Sequence, residues 1–434
     1  MRISLLVLAG GVCLVASAVV LAITQAPLGT PTFFALAALM TVPYGWLLWR
    51  LLAGARPPFP SRWFAAAVLV AVAARIPLAV ARVDERSDMI RYLYDGRVQR
   101  LGYNPFSIRP SDSEVAWTHT DLTRHMPSLR AQTPYPAAAQ LFFRLVVTIR
   151  ETPRAMKLAL LLCDLLTILV VYRWMIDSGR TPWLALAYAW NPLVILEVAH
   201  SGHIDALGVL FIATSAWLLT IRRTSLAACA FVLAVASKLV PIVLVPLYWG
   251  RVRIRDAALG AGLLAVLYLP FSSAGMLPLG AVPNVIDNIR FNGPVFYGLR
   301  LLLGPRPAAA AAVLLGIAVA AWLRLHRPAG DAGAWAWPMT VALAAAPVIY
   351  PWYLLYCTPF LFALDTLPIA AWSVTILSTY IVWVRAYSFH LLWVVPAPVY
   401  AIEYGVVLMV LMVLVVLRVR VLRVLGGAKG AVHR

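Results

Sequence analysis

The sequence predicts an all-α polytopic membrane protein, a single integral domain (1–434) of roughly 11–13 transmembrane helices. Three observations predict it. Of the 434 residues, 62% are hydrophobic and only 12% are charged, about half the charge of an ordinary soluble domain. The apolar residues come in long runs, and the stretch 4–24 carries no charge at all, although about 20 apolar residues suffice to cross a hydrocarbon core. Those runs do not alternate apolar with polar residues, as barrel strands would. Backbone amides in lipid must bond within the protein, so the runs are helices.

In chain order, spans are expected near 4–24, 32–52 and 63–82. Arg2 before an apolar stretch resembles a signal peptide, but that stretch is too long and a second one follows at once. A polar segment, 83–134, interrupts the pattern, and residues 137–149, holding Arg144, read as a short or re-entrant helix. Spans resume near 156–176, 182–198 and 204–221. The stretch 225–249 contains Lys238 and Pro241 and reads as two half-helices. Further spans are expected near 257–273, 308–325, 335–349, 352–370, 371–388 and 400–417. Residues 274–300, with Pro278, Pro283, Asn292 and Pro294, read as a second outer loop, and 418–434 as a basic tail. No internal repeat is evident.

The net charge of +19 does not indicate a nucleic-acid partner, because the basic residues sit in short loops rather than on a solvated domain. Their pattern follows the positive-inside rule. Arg50, Arg56 and Arg62 mark one cytoplasmic loop; Arg222 with Arg223, Arg251 with Arg253 and Arg255, and Arg324 with Arg327 mark others. With the tail carrying Arg420, Arg423, Lys429 and Arg434, both termini are expected in the cytoplasm and 83–134 outside. Cys13, Cys163, Cys229 and Cys357 lie in or beside apolar runs without metal-site spacing, as small apolar residues do.

The outer segment holds seven of the seventeen acids, balanced by seven arginines. In DMIRYLYDGRVQRLG, Ile90, Leu93, Tyr94, Val98 and Leu101 recur at helical spacing, with Asp88, Arg91, Tyr92 and Asp95 on another face. This predicts an amphipathic interfacial helix ending at Gly102. Asp84, Asp88 and Asp95 are then candidates for a general base at the membrane boundary. The competing reading pairs them with Arg86, Arg91 and Arg97 as surface ion pairs of little energetic weight.

Polar groups inside apolar spans are costly and therefore candidates for function. The densest set is Glu197, His200, Ser201, His203 and Asp205 in EVAHSGHIDALG. A solvated turn at a span end accounts for it equally well. His200, His203 and Asp205 are suitable metal ligands, but spacing alone is weak support, and neither metal nor cofactor is assigned. Arg75, Lys238, Arg290, Arg300 and Arg385 suit a phosphate-bearing ligand or snorkel to headgroups. Trp352, Tyr353, Trp383 and Trp393 read as an interfacial aromatic belt before a sugar platform.

Taken together these motifs resemble a family. The run SDMIRYLYDGRVQRLGYNPFSIRP (87–110) is similar to the first outer loop of bacterial GT-C polyprenol-phosphate-sugar-dependent glycosyltransferases, near the mannosyltransferases of glycosyltransferase family 87. TPYPAAAQLFF, WNPLVILEVAHSGHIDAL, SKLVPIVLVP and PWYLLYCTPFL follow in the order of that pattern, so the likeness runs from Ser87 to about Phe362. Met89 stands where a second acid is usual, and Ala137 where a second proline is. The resemblance implies a GT-C-like bundle in a bacterial cytoplasmic membrane, with its active site on the outer face. It implies transfer of a sugar, mannose by family, from a polyprenyl phosphate donor to a lipid or glycan acceptor, without a metal. It makes Asp88 the base, with Asp84 in reserve. The residues expected around substrate are Arg91, Tyr92, Asp95, Asn104, Tyr135, His200, His203 and Asp205, with Lys238 and Arg385 on the donor phosphate. The competing function is a transporter or lipid flippase, which has intramembrane charges and broken helices but does not need the segment 83–134.

The topology is testable by cysteine labelling. A Ser113→Cys variant should react with an impermeant maleimide in intact cells; labelling only after permeabilisation inverts the orientation.

Overall fold

The computed structural model describes residues 3–53, 61–84, 87–272 and 280–431. Arg2, Arg56, Arg86 and Pro278, and the side chains of the basic tail after Leu417, lie outside the described residues.

Local chemistry sets where helices begin. Thr30 accepts the amide of Phe33 and Pro31 opens α2 (Pro31–Leu52), which follows α1 (Ile3–Thr24). After α3 (Ser61–Val80), Ser87 accepts the amide of Met89 to cap α4 (Asp88–Arg100). Thr152 and Pro153 start α6 (Pro153–Asp177) after the short α5 (Ala137–Ile149). Such caps satisfy amides that a helix leaves unbonded at its first turn.

The chain is an all-helical integral multi-pass membrane protein. Among the described residues eight helices are long and apolar enough to span, or nine if the pair Pro182–Ala189 and Pro192–His200, bent by 52°, counts as one. Four shorter apolar helices accompany them, including Asp205–Thr220 and Thr224–Ser237. The expected 11–13 full spans therefore mix two kinds of segment. Val240–Tyr248 and Pro351–Phe360 run as 3₁₀ helix, where prolines 241, 246, 351 and 359 cannot donate to an α-helical ladder. The boundary expected at residues 370/371 lies earlier: Leu364–Phe389 is one apolar span. The basic tail continues the last helix, Ala397–Ala431.

Two concavities organise these segments into two faces. Segments within 25–30, 81–84, 87–88, 200–203, 350–352 and 383–393 contribute walls to one. Residues 178–180, 219–224, 250–255 and 328–330 contribute walls to the other. The two sets interleave along the sequence, so the chain shuttles between a loop face and an arginine face. By that parity α1 starts, and the last helix ends, on the arginine side.

Among the described residues, the fully buried charged side chains are all hydrogen-bonded. Arg75 of α3 is wholly buried, with its Nε 2.5 Å from Asp164 of α6 and Nη1 donating to the carbonyls of Ala71 and Ala189. Tyr188 donates to the other Asp164 oxygen at 2.8 Å. These bonds lock α3 and α6 to the broken segment 182–200.

The helix α4 departs from expectation. It is not an amphipathic helix on the membrane surface, because both of its faces are covered. Met126, with Leu122 and Leu129, closes over Ile90, Tyr94 and Val98. On the other side α5 approaches so closely that a Cβ on Gly96 would stand 2.6 Å from the Phe143 carbonyl oxygen. The pairing of Asp95 with a surface arginine is corrected too. Asp95 is fully buried, accepting from Arg91 Nε at 2.7 Å and from Gln140 Nε2 at 3.0 Å. Arg91 also donates to the carbonyls of Ser128 and Ala131, at 3.1 and 3.0 Å.

Removing one partner of a buried pair strands the other, typically at about 3–5 kcal/mol. Asp95→Ala should therefore lower the thermal stability of the purified protein sharply. Glu151→Ala, at the partly exposed Arg97–Glu151 pair, should cost no more than about 1 kcal/mol.

Candidate functional site

On the loop face, a cavity of about 1040 Å³ opens between the α1–α2 turn, the chain leaving α3, the start of α4 and the segments 200–203, 350–352 and 380–393. Asp84 lines its rim, and Asp88 its wall. Asp88 is the first residue of α4, held there by the Ser87 cap. It is half-buried, and Tyr135 donates a hydrogen bond to its carboxylate. Burial raises its pKa, the charge of Lys238 opposes that rise, and the charge of Asp205 adds to it. Behind Tyr135, the Tyr92 ring stacks on Phe143 with centroids 4.6 Å apart and meets Tyr135 edge-on at 5.1 Å. The Tyr92 hydroxyl accepts the amide of Ile204 at 3.4 Å, which ties α4 to the 200–205 turn.

That turn forms the facing wall. Gly202 has φ +74°, and a Cβ there would stand 2.0 Å from the Met89 methyl. Only glycine lets the turn pack against α4 so closely. His200, Ser201 and His203 consequently line the cavity with Asp88. His203 stacks on Trp352 at 4.0 Å, and its Nε2 lies 3.3 Å from Glu197 Oε2. Tyr380 donates to the other Glu197 oxygen at 2.7 Å. His200 Nδ1 is buried without a hydrogen-bond partner among the described residues.

Asp205 stands behind this wall. Lys238 Nζ donates to its Oδ1 at 2.7 Å and sits 4.2 Å from the Tyr353 ring centroid, while Oδ2 has no partner among the described residues. The break between Thr224–Ser237 and the 3₁₀ segment leaves Lys238 extended, which is how its side chain reaches Asp205.

The structure thus brings Asp84, Asp88, His200 and His203 to one cavity, with Tyr92, Tyr135, Asp205 and Lys238 packed behind its walls. Other candidates are placed elsewhere. Arg91 and Asp95 are spent on each other and on the loop, so Tyr135 rather than Arg91 bonds Asp88. Asn104 donates to the Phe271 carbonyl and accepts the amide of Phe106, a strut under the polar loop that follows α4. Lys238 is neutralised by Asp205 and lines no part of the cavity; Arg385 does not line it either, although Val384 and Tyr387 do. Among the described residues Arg82 is the arginine in the wall. Trp352, Trp383 and Trp393, read as an interfacial belt, instead line the cavity with Tyr350, Tyr380 and Tyr387. Nothing in their spacing signals that convergence, since they come from segments that close only in three dimensions. Among the described residues no group of three or more His, Cys, Asp or Glu is arranged to hold a metal, and His200, His203 and Asp205 do not converge.

No family model matches the chain, and neither a curated protein nor a solved structure does.

The Lys238–Asp205 pair has a testable signature. Lys238→Met should destabilise by about 3–5 kcal/mol, while the double variant Lys238→Met/Asp205→Leu should recover most of the loss, because an apolar pair needs no charge compensation. Chemical denaturation of the purified variants reads both.

Proposed function

We propose that the protein is a membrane glycosyltransferase. It would move a sugar from a polyprenyl phosphate to a lipid or glycan hydroxyl in the loop-face cavity, on the outer side of a bacterial cytoplasmic membrane. The observation that carries this reading is a carboxylate, Asp88, in the wall of a large cavity lined by six aromatic residues and opening at the foot of the outer loop. Aromatic faces suit a sugar ring and an isoprenoid alike, and a base must lie within reach of the acceptor proton. The resemblance of residues 87–110 to the GT-C loop supports the same assignment. Mannose is the sugar that resemblance favours.

In this mechanism Asp88 takes the acceptor proton as the acceptor oxygen bonds to the anomeric carbon. The bond from that carbon to the phosphate oxygen breaks on the opposite face, and the polyprenyl phosphate leaves with the electron pair. Tyr135 orients the carboxylate. Asp84 on the rim receives the acceptor, and His200 and His203 hold the sugar from the facing wall. Arg82 takes the phosphate, in place of Lys238 and Arg385.

Asp88→Asn keeps the shape and removes the base, so turnover of a labelled lipid-phosphate sugar should fall about 10²–10⁴-fold, with donor binding retained. Asp84→Asn should cost far less; the reverse order would move the base to Asp84. Transport of the lipid without sugar transfer would point to a flippase. The pH profile supplies a second check. A base works only when deprotonated, and burial raises the pKa of Asp88, so rate should climb with pH on a limb displaced upward from the usual carboxylate range. Lys238→Gln removes an opposing positive charge and leaves Asp205 uncompensated, so it should push that limb higher still. A limb unmoved by this change would separate Asp88 from the titration.

A further inference from the structure

The arginine face holds its own cavity, of about 820 Å³, which the proposed transfer reaction does not use. Arg180, Arg222, Arg251, Arg253 and Arg255 line it, and no acid does among the described residues. Two of these arginines are set in place by backbone. Arg180 donates to the Gly330 carbonyl at 3.0 Å and lies 5.1 Å from the Phe362 ring centroid. Arg251 donates to the carbonyls of Leu247 and Arg327. Each guanidinium has five N–H donors, so these bonds leave others to spare. Two turns bring the lining together: Arg222 sits at φ +60° and Gly250 at φ +66°. A non-glycine residue there is strained by about 1 kcal/mol or more.

The nearby acids are engaged outside the lining. Asp256 accepts from Ser225 and from the amide of Arg253, and lies 3.8 Å from Arg255 Nε. Asp331 caps a helix, pairs with Arg327 at 3.0 Å and acts on Arg180 from a distance. Burial, and secondarily the charge of Arg324, push the Arg251 pKa down to about 10. A concentration of like charge in a concave site is unfavourable until an anion enters it.

We infer that this cavity is a binding site for a phosphate group, taken either from an anionic phospholipid headgroup or as free phosphate. Planar guanidinium forks match phosphate oxygens, and the lining flanks the ends of the apolar spans Pro153–Asp177, Ile254–Phe271 and Pro305–His326. The cavity is larger than one phosphate needs and accommodates a glycerol ester beyond it.

The test uses the full chain in nanodiscs of phosphatidylcholine alone or mixed with phosphatidylglycerol. Native mass spectrometry reads the lipid retained, and a thermal shift reads inorganic phosphate. Arg222→Gln/Arg253→Gln is the informative variant because both side chains are exposed and neither holds the fold. Losing a charge-assisted hydrogen bond costs about 1.5–3 kcal/mol, so retention should fall at least tenfold. Phosphatidylglycerol retained against millimolar phosphate assigns the site to the lipid. Displacement by phosphate, with a thermal shift in phosphatidylcholine alone, assigns it to the free anion. Equal retention by wild type and variant, with no phosphate response in either, overturns the site. Asp88→Asn should leave every readout unchanged, which separates this result from the fate of the proposed reaction.

Discussion

Everything on the loop face depends on a charge pair that water cannot reach. Arg91 and Asp95, one helical turn apart on α4, are buried together, and a buried ion pair is favourable only when its remaining hydrogen-bond positions are filled. Those positions are filled by the carbonyls of Ser128 and Ala131 on one side and by Gln140 on the other. The pair therefore fastens three pieces of chain at once: the helix, the polar loop folded over it, and α5 beneath. Gln99 extends the net by donating to Gln140 at 2.8 Å. The direction of α4 follows from this net, and so does the place of its first residue, Asp88.

The same economy recurs deeper in the bundle. Arg75 with Asp164, and Lys238 with Asp205, each join segments far apart in sequence. A third buried acid, Glu403, accepts from Asn292 and from Trp372, and so ties the last helix to the 281–293 segment. Each device places a polar group where an apolar one would pack as well. What the polar group adds is register, since a charge has one acceptable partner and an alkyl group has many. The cavity wall is built from segments held by such bonds, with Tyr380 on Glu197 as the nearest of them.

Composition and run length made the membrane class legible, and α4 could be read from its apolar period in the run that begins at Asp88. The split at Lys238 was legible from Lys238 and Pro241 within one apolar stretch. The number of full spans was not, because hydropathy does not separate an α-helix from the 3₁₀ runs 240–248 and 351–360. Nor was the burial of α4. Its hydrophobic period suggested one wet face, but Arg91, Tyr92 and Asp95 on that face meet the Ser128 and Ala131 carbonyls and the α5 residues Gln140 and Phe143, all of which come much later in the chain. Clusters local in sequence, such as His200 and His203, were found by inspection. The partners that define the site, Tyr135 for Asp88 and Trp352 for His203, lie 47 and 149 positions away.

The helix Asp205–Thr220 starts just behind one cavity and ends in the lining of the other. Its 16 residues rise about 24 Å, less than the roughly 30 Å of a hydrocarbon core. With water in both cavities, the low-dielectric barrier along this helix would be thinner than the surrounding lipid, and the membrane voltage would fall across it more steeply. Each elementary charge crossing it gains or loses about 2.3 kcal/mol per 100 mV. Lys238 and Asp205 stand at one edge of that septum as a neutral pair, so the voltage exerts almost no net force on them. A single uncompensated charge in the same place would feel all of it.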